Sequence, residues 1–269
     1  MADTEMLVLR DIRKTFNPGT VTEKTALDGV NLTLAKGDFV TVIGGNGAGK
    51  STMLNAVAGT FPVDSGAITI DGKDVTHLPE YKRAVFLGRV FQDPMTGTAA
   101  SMNIEENLAL AARRGQSRGL RWGITASERA LYREKLASLD LGLETRLGSK
   151  VGLLSGGQRQ ALTLLMATLK RPDLLLLDEH TAALEPKTAE KVLNLTRQLI
   201  EENGLTALMV THNMKDALAL GNRMIMMHEG TIILDLDEEE KRRTTVEDLL
   251  AQFEKASGRA LSNDRMLLT

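Results

Sequence analysis

The stretch that most constrains this chain is a glycine-rich turn between an apolar run and a helix-forming run. The turn reads Gly44-Gly45-Asn46-Gly47-Ala48-Gly49-Lys50-Ser51. Residues 39–43 before it predict a buried strand, and residues 52–58 after it predict the first turns of a helix. Glycines let consecutive N–H groups curl round one anion, and the helix N-terminus adds unpaired donors and a positive dipole end. The stretch therefore predicts a phosphate-binding P-loop, G-x-x-x-x-G-K-[S/T].

Each P-loop position has an expected chemistry. We expect Lys50 to reach the β- and γ-phosphates of a nucleotide and the Ser51 hydroxyl to bind Mg²⁺. On this stretch alone a kinase or a GTPase fits equally well. The predicted phosphate-binding residues are Gly44, Gly45, Asn46, Gly47, Ala48, Gly49, Lys50, Ser51 and Thr52.

Composition narrows the class of protein. The 269 residues suffice for one large core or two modest ones. A net charge of −2 gives no electrostatic argument for a nucleic-acid partner. The absence of cysteine excludes disulfides and thiolate metal sites. The acidic first residues are not typical of a signal peptide, and no run approaches the roughly 18 apolar residues of a membrane span. We therefore expect any action at a membrane to need a partner.

Hydrophobic periodicity predicts an α/β fold with one helical insertion. Predicted strands cover residues 6–12, 31–34, 39–43, 67–70, 85–91, 174–177, 206–211, 224–227 and 231–234, the last two as a hairpin. Predicted helices cover residues 104–113, 127–140, 159–169, 186–203, 214–220 and 246–255. Residues 93–170 predict an α-helical insertion in a chain that otherwise alternates strand and helix. Residues 236–243 are highly charged and predict solvated surface.

Polar residues follow three of the predicted strands. Asp178 and Glu179 come directly after four leucines, His212 follows a second buried strand, and Gln92 follows a third. Because carboxyl ends of parallel strands meet at one sheet edge, these groups can converge on the same phosphates. We expect Asp178 to bind Mg²⁺, Glu179 to polarise the attacking water and His212 to contact the γ-phosphate. Gln92 is a candidate to bind Mg²⁺ or water. The alternative interpretation of Asp178 and Glu179 is that they form a solvated strand end.

A second glycine turn opens a helix far from the P-loop in the chain. It reads Leu154-Ser155-Gly156-Gly157-Gln158 and is an anion site by the same donor and dipole argument, although no lysine accompanies it. One phosphate cradle and one separate helix-start site suggest two sites that meet across a dimer.

Phe16 allows two interpretations. Only 3% of the residues are aromatic, so an exposed ring near a phosphate site is a candidate for stacking on adenine. The alternative is a ring that plugs the edge of a β-sandwich.

Together these motifs make the chain resemble the nucleotide-binding subunit of an ATP-binding cassette (ABC) transporter over nearly its whole length. The resemblance is carried, in family order, by the P-loop, Gln92, the second glycine turn, LLLLDE at 174–179 and His212. It implies a P-loop NTPase fold over residues 6–250, with a RecA-like parallel sheet, an antiparallel β subdomain and a C-terminal tail at 251–269. It also implies ATP and Mg²⁺ as ligands, the latter held by Ser51, Gln92 and Asp178.

The resemblance implies roles and partners as well. Glu179, His212 and Gln92 would be catalytic and Phe16 would stack on adenine. Two subunits, most simply a homodimer, would each press Ser155 and Gly157 on the partner's ATP. The helical insertion would dock on transmembrane permease subunits at the cytoplasmic face of the cell membrane, and no nucleic acid would be bound.

The chain departs from the family pattern at two places. His180-Thr181-Ala182 stands where the family usually has Pro-Thr-Ser, and Glu185 stands where it usually has Asp. The stretches DEHTAAL and THNM resemble a subgroup of bacterial uptake ATPases that serve a permease and an extracytoplasmic binding protein of amino-acid type. This predicts an ATPase that energises uptake of an amino acid or similar small solute. Alternatives are an exporter subunit, a soluble non-transport ABC ATPase or a non-hydrolysing subunit, and intact Lys50, Glu179 and His212 speak against the last.

Overall fold

The computed structural model describes residues 5–116 and 123–257, which form two β-sheets with helices packed round them. The strands are β1 (Glu5–Phe16), β2 (Lys24–Ala35), β3 (Phe39–Ile43), β4 (Ser65–Ile70), β5 (Lys73–Asp74), β6 (Leu87–Val90), β7 (Leu174–Asp178), β8 (Thr206–Val210), β9 (Arg223–His228) and β10 (Thr231–Leu236). The helices are α1 (Lys50–Ala58), α2 (Glu80–Arg83), α3 (Ile104–Ala112), α4 (Ala126–Ala137), α5 (Gly156–Leu169), α6 (Pro186–Asn203), α7 (Met214–Ala219), α8 (Glu238–Arg243) and α9 (Val246–Ser257). Short 3-10 turns lie at Leu143–Thr145 and Val151–Leu153.

The larger sheet positions the candidate site. Its strand order is β10-β9-β3-β8-β7-β6, parallel from β9 to β6 with β10 antiparallel at one edge. Every residue of β3 and of β8 is buried, as a parallel strand covered on both faces requires. The carboxyl ends of β3, β8, β7 and β6 therefore lie along one edge, which confirms the predicted parallel sheet. The predicted 224–234 hairpin is part of this sheet, as β9 and β10.

The smaller sheet is antiparallel, with the order β2-β1-β4-β5. β1 is longer than the predicted strand because it pairs with β2 on one side and β4 on the other. Leu7, Leu27 and Ile68 of this sheet share one core with Leu54 and Val57 of α1. α1 is thus held between the two sheets, and this fixes the direction in which its N-terminus points.

The helical block has a core of its own. Ile104 of α3, Tyr132 and Leu136 of α4, and Leu162 of α5 are buried together there. The opposite face of α5 packs Leu164 against the main sheet instead. α5 therefore belongs to both cores, and any movement of the block has to carry or bend this helix.

The C-terminal part differs from the predicted solvated surface at 236–243. This prediction is wrong for Lys241, which is buried and whose Nζ donates to the carbonyl of Gly221 at 3.1 Å. The ammonium group satisfies carbonyls just after α7, a role that charge density alone does not reveal. α9 continues across residue 250, the predicted domain end, and packs Leu249 and Phe253 against Met214. Residues 258–269 of the predicted tail lie outside the described residues.

Candidate active site

The P-loop backbone requires glycine where it turns from β3 into α1. Gly49, just before α1, has φ of 101°, and a Cβ there would lie 2.5 Å from the carbonyl oxygen of Ala26. Any side chain would strain the turn and collide with backbone. The loop is clamped from outside as well, because the Gly230 N–H donates to the carbonyl of Ala48 at 3.0 Å. The predicted strand, glycine loop and helix are therefore present in the order expected.

Lys50 lies folded over this loop. Its side chain is 6% exposed, and Nζ donates to the carbonyls of Gly44 at 2.8 Å and Gly45 at 3.2 Å. Nζ also lies 3.8 Å from Oε1 of Glu179. Burial lowers the pKa of Lys50, and the charges of Glu179 and Asp178 oppose that shift. The ammonium group is held at the mouth of the loop. A bound anion there would replace the two carbonyls as its hydrogen-bond partner.

Ser51 and Asp178 form the oxygen-rich part of the site. The Ser51 hydroxyl donates to Oδ1 of Asp178 at 2.9 Å. Burial raises the pKa of Asp178, while the hydrogen bond from Ser51 acts in the opposite direction. A hydroxyl and one carboxylate beside a phosphate loop match the donor set of Mg²⁺, which takes few protein oxygens and completes its shell with phosphate and water. These residues therefore fit the predicted cation.

Glu179 is the point where the strand ends meet. Gln92 Nε2 donates to Glu179 Oε2 at 3.4 Å, and His212 Nδ1 lies 4.0 Å from the same oxygen. With Lys50, three groups from three parts of the chain surround this carboxylate. Glu179 itself has φ of 40°, a left-handed backbone that non-glycine residues seldom adopt. The predicted convergence of Gln92, Glu179 and His212 on the P-loop is thus present in the fold.

Two adjoining cavities flank this carboxylate. One, of about 440 Å³, is lined by Phe16, Lys24, Ala26, Asn46, Gly47, Ala48, Gly49, Lys50, Ser51, Thr52, Gln92 and Glu179. The other, of about 230 Å³, is lined by Gly44, Gly45, Asn46, Gln92, Glu179, Ala182, His212, Met214, Met226 and Phe253. The first has the size of a small-molecule site and carries the P-loop along one wall. Asn46, Gln92 and Glu179 belong to both.

Phe16 has features of both predicted roles, the ring that stacks on adenine and the ring that plugs the edge of a β-sandwich. Its ring packs edge to face on Phe61, with centroids 5.3 Å apart, and it also lines the larger cavity. One edge of the ring is thus supported by the core while the residue remains at the cavity wall.

The second glycine turn lies elsewhere. Ser155 is the N-cap of α5, and its hydroxyl accepts from the Gln158 N–H at 3.3 Å. Gly157 packs directly on Thr188 of α6, and a Cβ there would overlap the Thr188 methyl group. Leu154, Gly156 and the rest of this turn are not among the described residues that line either cavity. One subunit therefore does not bring its two glycine turns together.

Some cavity residues were absent from the sequence prediction. Lys24 of β2 lies across the loop, and a Cβ at Gly47 would be 2.9 Å from its Nζ. Phe253 reaches the P-loop from α9, and a Cβ at Gly45 would be 3.1 Å from its ring. Neither residue lies in a motif, and both come to the site only because sheet and helix packing brings distant segments together.

The described helices, over residues 5–116 and 123–257, include none that is long and apolar enough to cross a membrane.

Comparison with known proteins places this architecture in a family. The family model described as ABC transporter matches residues 27–182, more than half of the chain.

Curated relatives extend the match. The tyrosine transport ATP-binding protein of Clostridioides difficile (strain R20291) is 44% identical over 93% of this chain and 100% of its own length. The spermidine/putrescine import ATP-binding protein PotA of Pasteurella multocida (strain Pm70) is 35% identical over 86% of this chain. The methionine import ATP-binding protein MetN of Rhizobium johnstonii (strain DSM 114642 / LMG 32736 / 3841) is 34% identical over 86% of this chain. The chain spans only 58% and 61% of the latter two.

Solved structures agree. A dimeric ATP-binding cassette, MJ0796, in a post-hydrolysis state with ADP and Pi matches with a TM-score of 0.74 at 31% identity, covering 87% of this chain and 99% of that one. The ADP conformation of MJ1267, an ATP-binding cassette of an ABC transporter, matches with a TM-score of 0.76 at 27% identity, covering 93% and 98%. With its P-loop, its strand-end cluster and its second glycine turn, this chain belongs to the ABC transporter family as one of the family's ATP-binding, ATP-hydrolysing subunits.

Proposed function

We propose that Glu179 is the base that activates water for ATP hydrolysis in this subunit, and that hydrolysis drives solute uptake through separate membrane subunits. The observation that carries the first part is the surrounding of one carboxylate by Lys50, Gln92 and His212. A carboxylate within reach of a cation, an amide and an imidazole beside a P-loop is equipped to orient water toward a γ-phosphate.

The step assigns one role to each group. Glu179 takes a proton from water as the water oxygen bonds to the γ-phosphorus and the bond to the ADP oxygen breaks, which leaves ADP and phosphate. Lys50 exchanges its loop carbonyls for phosphate oxygens and stabilises their charge. His212 contacts the transferred phosphoryl group. Phe16 receives the adenine face.

Mg²⁺ is the proposed cofactor. Ser51, Asp178 and the free amide oxygen of Gln92 would hold it, and when bound it neutralises charge on the phosphates. The Gln92 amide suits this position because its nitrogen is already engaged by Glu179.

The complete site is proposed to need a second copy of the chain. Ser155 and Gly157 belong to a helix N-terminus that does not line the cavities of its own subunit. In a head-to-tail dimer each copy would place this turn against the γ-phosphate held by the other, as unpaired helix-start donors favour. The solved relative MJ0796 is a dimer, which supports a homodimer here.

An exposed apolar face supports docking on permease subunits. Tyr81 and Val85 are 73% and 41% exposed, and Leu110 on α3 is 40% exposed. Val85 lies against Gly115, just beyond α3, so its side chain belongs to the junction of the main sheet with the helical block. Exposed apolar side chains at such a junction are ones that a partner subunit would cover. This docking would hold the chain at the cytoplasmic face of the membrane, with an extracytoplasmic binding protein acting through the permease.

The solute class proposed is an amino acid or a similar small solute. The support is the relative named for tyrosine transport, which this chain matches at 44% identity over that relative's whole length. Purification of the intact membrane complex, followed by solute binding to its extracytoplasmic partner, tests the class. Recovery of a complex without such a partner would favour an exporter, and recovery of no membrane subunits would favour a soluble ATPase.

The decisive test of the chemistry is Glu179→Gln in the full chain. We expect ATP binding to persist while hydrolysis falls by about 10²- to 10⁴-fold, since the variant keeps size and polarity but not basicity. Glu201→Gln, on the exposed end of α6, is the matched control and should hydrolyse ATP normally. Near-normal turnover by Glu179→Gln would reject this residue as the base.

The docking face has its own test. Val85→Asp, with membrane subunits co-expressed, should release the chain from the membrane fraction while ATP binding stays unchanged. Val21→Asp changes an equally apolar side chain on the exposed turn between β1 and β2 and serves as the control. Equal membrane association of the two variants would disprove this docking face.

A further inference from the structure

The backbone of Glu179 needs something to hold it. Its φ of 40° lies in the left-handed region, which a non-glycine residue adopts only at a cost in conformational free energy. Two backbone hydrogen bonds act on it: its N–H donates to Val210 at 3.0 Å, and its carbonyl accepts from Ala182 at 3.0 Å. These bonds fix one side of the turn after β7. They do not by themselves tie the turn to the helix that follows.

His180, the next residue, supplies that tie. The side chain is only 2% exposed, and Nε2 lies 3.0 Å from Oγ1 of Thr196. Thr196 is fully buried on α6, nearly three helical turns from the start of that helix. The contact therefore joins the start of the turn to the body of α6.

The direction of this hydrogen bond follows from the threonine. Oγ1 of Thr196 donates its single proton to the carbonyl of Val192 at 2.8 Å, so toward His180 it can only accept. Nε2 of His180 must then carry the hydrogen that it donates to Thr196. The pair is a directed bond between two fixed groups.

We propose that His180 is a positioning residue for ATP hydrolysis, which holds the Glu179 carboxylate in the phosphate site by donating its Nε2–H to Thr196. The inference rests on the proposed function of Glu179 as base. The side chain of His180 is buried and lines neither of the two cavities at the phosphate site. Its effect passes through the backbone, because a turn released from α6 can relax out of the left-handed conformation and carry the carboxylate away.

Steady-state hydrolysis by the full chain tests this arrangement. His180→Leu and Thr196→Val each remove one end of the bond, and each should lower kcat by about 10- to 100-fold, the cost of a displacement of roughly 1 Å. KM and the Kd for ATP should stay within about twofold, since Lys50 and the loop are untouched. His180→Gln keeps an N–H donor at similar reach and Thr196→Ser keeps the hydroxyl, so these two should recover most of the lost kcat. The double variant His180→Leu/Thr196→Val should be no slower than the worse single variant.

A control separates positioning from general damage. Thr168→Val removes a hydroxyl that donates to the carbonyl of Leu164 within α5. This helix leads into the amino end of β7, the end opposite to the one that Glu179 follows. The variant should lose stability to a similar degree and keep kcat. In ¹⁵N spectra the His180 ring should carry a hydrogen on Nε2, a readout that needs no enzyme activity.

The outcomes distinguish the two proposals. A wild-type kcat in folded His180→Leu or Thr196→Val, with Glu179→Gln inactive, would overturn the positioning role alone. A ring with its only hydrogen on Nδ1, which cannot donate to Thr196, would overturn it as well. Full activity of Glu179→Gln would overturn the base assignment first, and the positioning role with it.

Discussion

Ser51 and Asp178, 127 residues apart in the chain, are joined by a 2.9 Å hydrogen bond between hydroxyl and carboxylate. Ser51 lies in the first turn of α1 and Asp178 ends β7, so the bond ties the phosphate loop to the strand end. Both oxygens are partly buried, and this burial raises the pKa of Asp178 because it disfavours the charged carboxylate. Partial burial therefore destabilises the charged carboxylate, and a bound cation would offset this penalty.

Asp178→Asn should therefore stabilise the ligand-free chain and remove the stabilisation that Mg²⁺ gives to the ATP-bound chain. Without nucleotide the free energy of unfolding should rise by about 1 kcal/mol, since a poorly solvated charge is removed and the oxygen that accepts from Ser51 remains. The extra stabilisation by Mg²⁺ with ATP, relative to ATP alone, should disappear. Thermal unfolding of wild type and variant with ATP, with and without Mg²⁺, measures both. A variant that still gains stability from Mg²⁺ would contradict the assigned site.

Ser155→Arg tests the two-subunit site. The residue caps α5 and does not line its own subunit's cavities, so a large cation there should leave ATP binding to the single subunit intact. ATP-induced dimerisation should be lost, because the side chain would project into the partner's phosphate site. Light scattering with ATP in a Glu179→Gln background, which slows breakdown of the dimer, reports the result. An unchanged ATP-dependent dimer would refute the head-to-tail model.

Phe253→Ala tests the support that α9 gives to the P-loop. The ring packs near Gly45 and edge to face on His228, with centroids 5.5 Å apart. Its removal should cost about 2 to 4 kcal/mol of unfolding free energy through the cavity it leaves. The Kd for ATP should rise about 3- to 10-fold, since a less preorganised loop has to be ordered on binding.

Leu249→Ala is the matched control for this helix. Leu249 is fully buried on α9 but does not line the cavity at the P-loop. It should lose comparable stability while the Kd for ATP, measured by nucleotide fluorescence titration, stays within about twofold of wild type. If both variants weaken ATP binding equally, α9 acts through overall stability and not through the ring of Phe253.

His180 predicts a pH dependence of stability. Burial lowers its pKa from 6.5 to about 4. Between these values the unfolded chain binds a proton that the folded chain excludes, so the free energy of unfolding falls as the pH drops from about 6.5 toward 4. The full effect of this residue is about 3 kcal/mol.

His180→Gln, which has no proton to bind, isolates this contribution. At pH 7.5 wild type should be the more stable of the two, and by pH 5 the gap should narrow by about 2 kcal/mol. Denaturant unfolding at three pH values measures the difference, in which the titration of all other groups cancels. A gap that stays constant from pH 7.5 to pH 5 would mean that His180 does not titrate with unfolding.

Local chemistry explains which parts of the site were predictable. Gly44 to Ser51 form a site within eight consecutive residues, so spacing alone indicates their role. Asp178 and Glu179 follow a run of leucines, and a strand end beside acids is visible without knowledge of its neighbours. The helices that match the prediction most closely, such as α6, have a strong amphipathic pattern with a proline at the start and a glycine at the end.

Other features depend on which segments meet in space. Nothing in the local sequence of Phe253 or Lys24 indicates a place beside the P-loop. Lys241 lies in a charged run, which gives no sign that its side chain is buried against the carbonyls just after α7. His180 appeared only as a departure from a pattern, and its bond to Thr196 exists because α6 folds back over the turn.

By itself, the sequence determined the phosphate loop, the acids at the strand ends and the α/β class, because each depends on contacts among neighbours in the chain. The tertiary structure alone decided how closely Lys50, Gln92 and His212 approach the Glu179 carboxylate, and that the second glycine turn does not line its own subunit's cavities. The physical reason is that sheet order and helix packing are long-range choices. They set distances between residues that share no local signal.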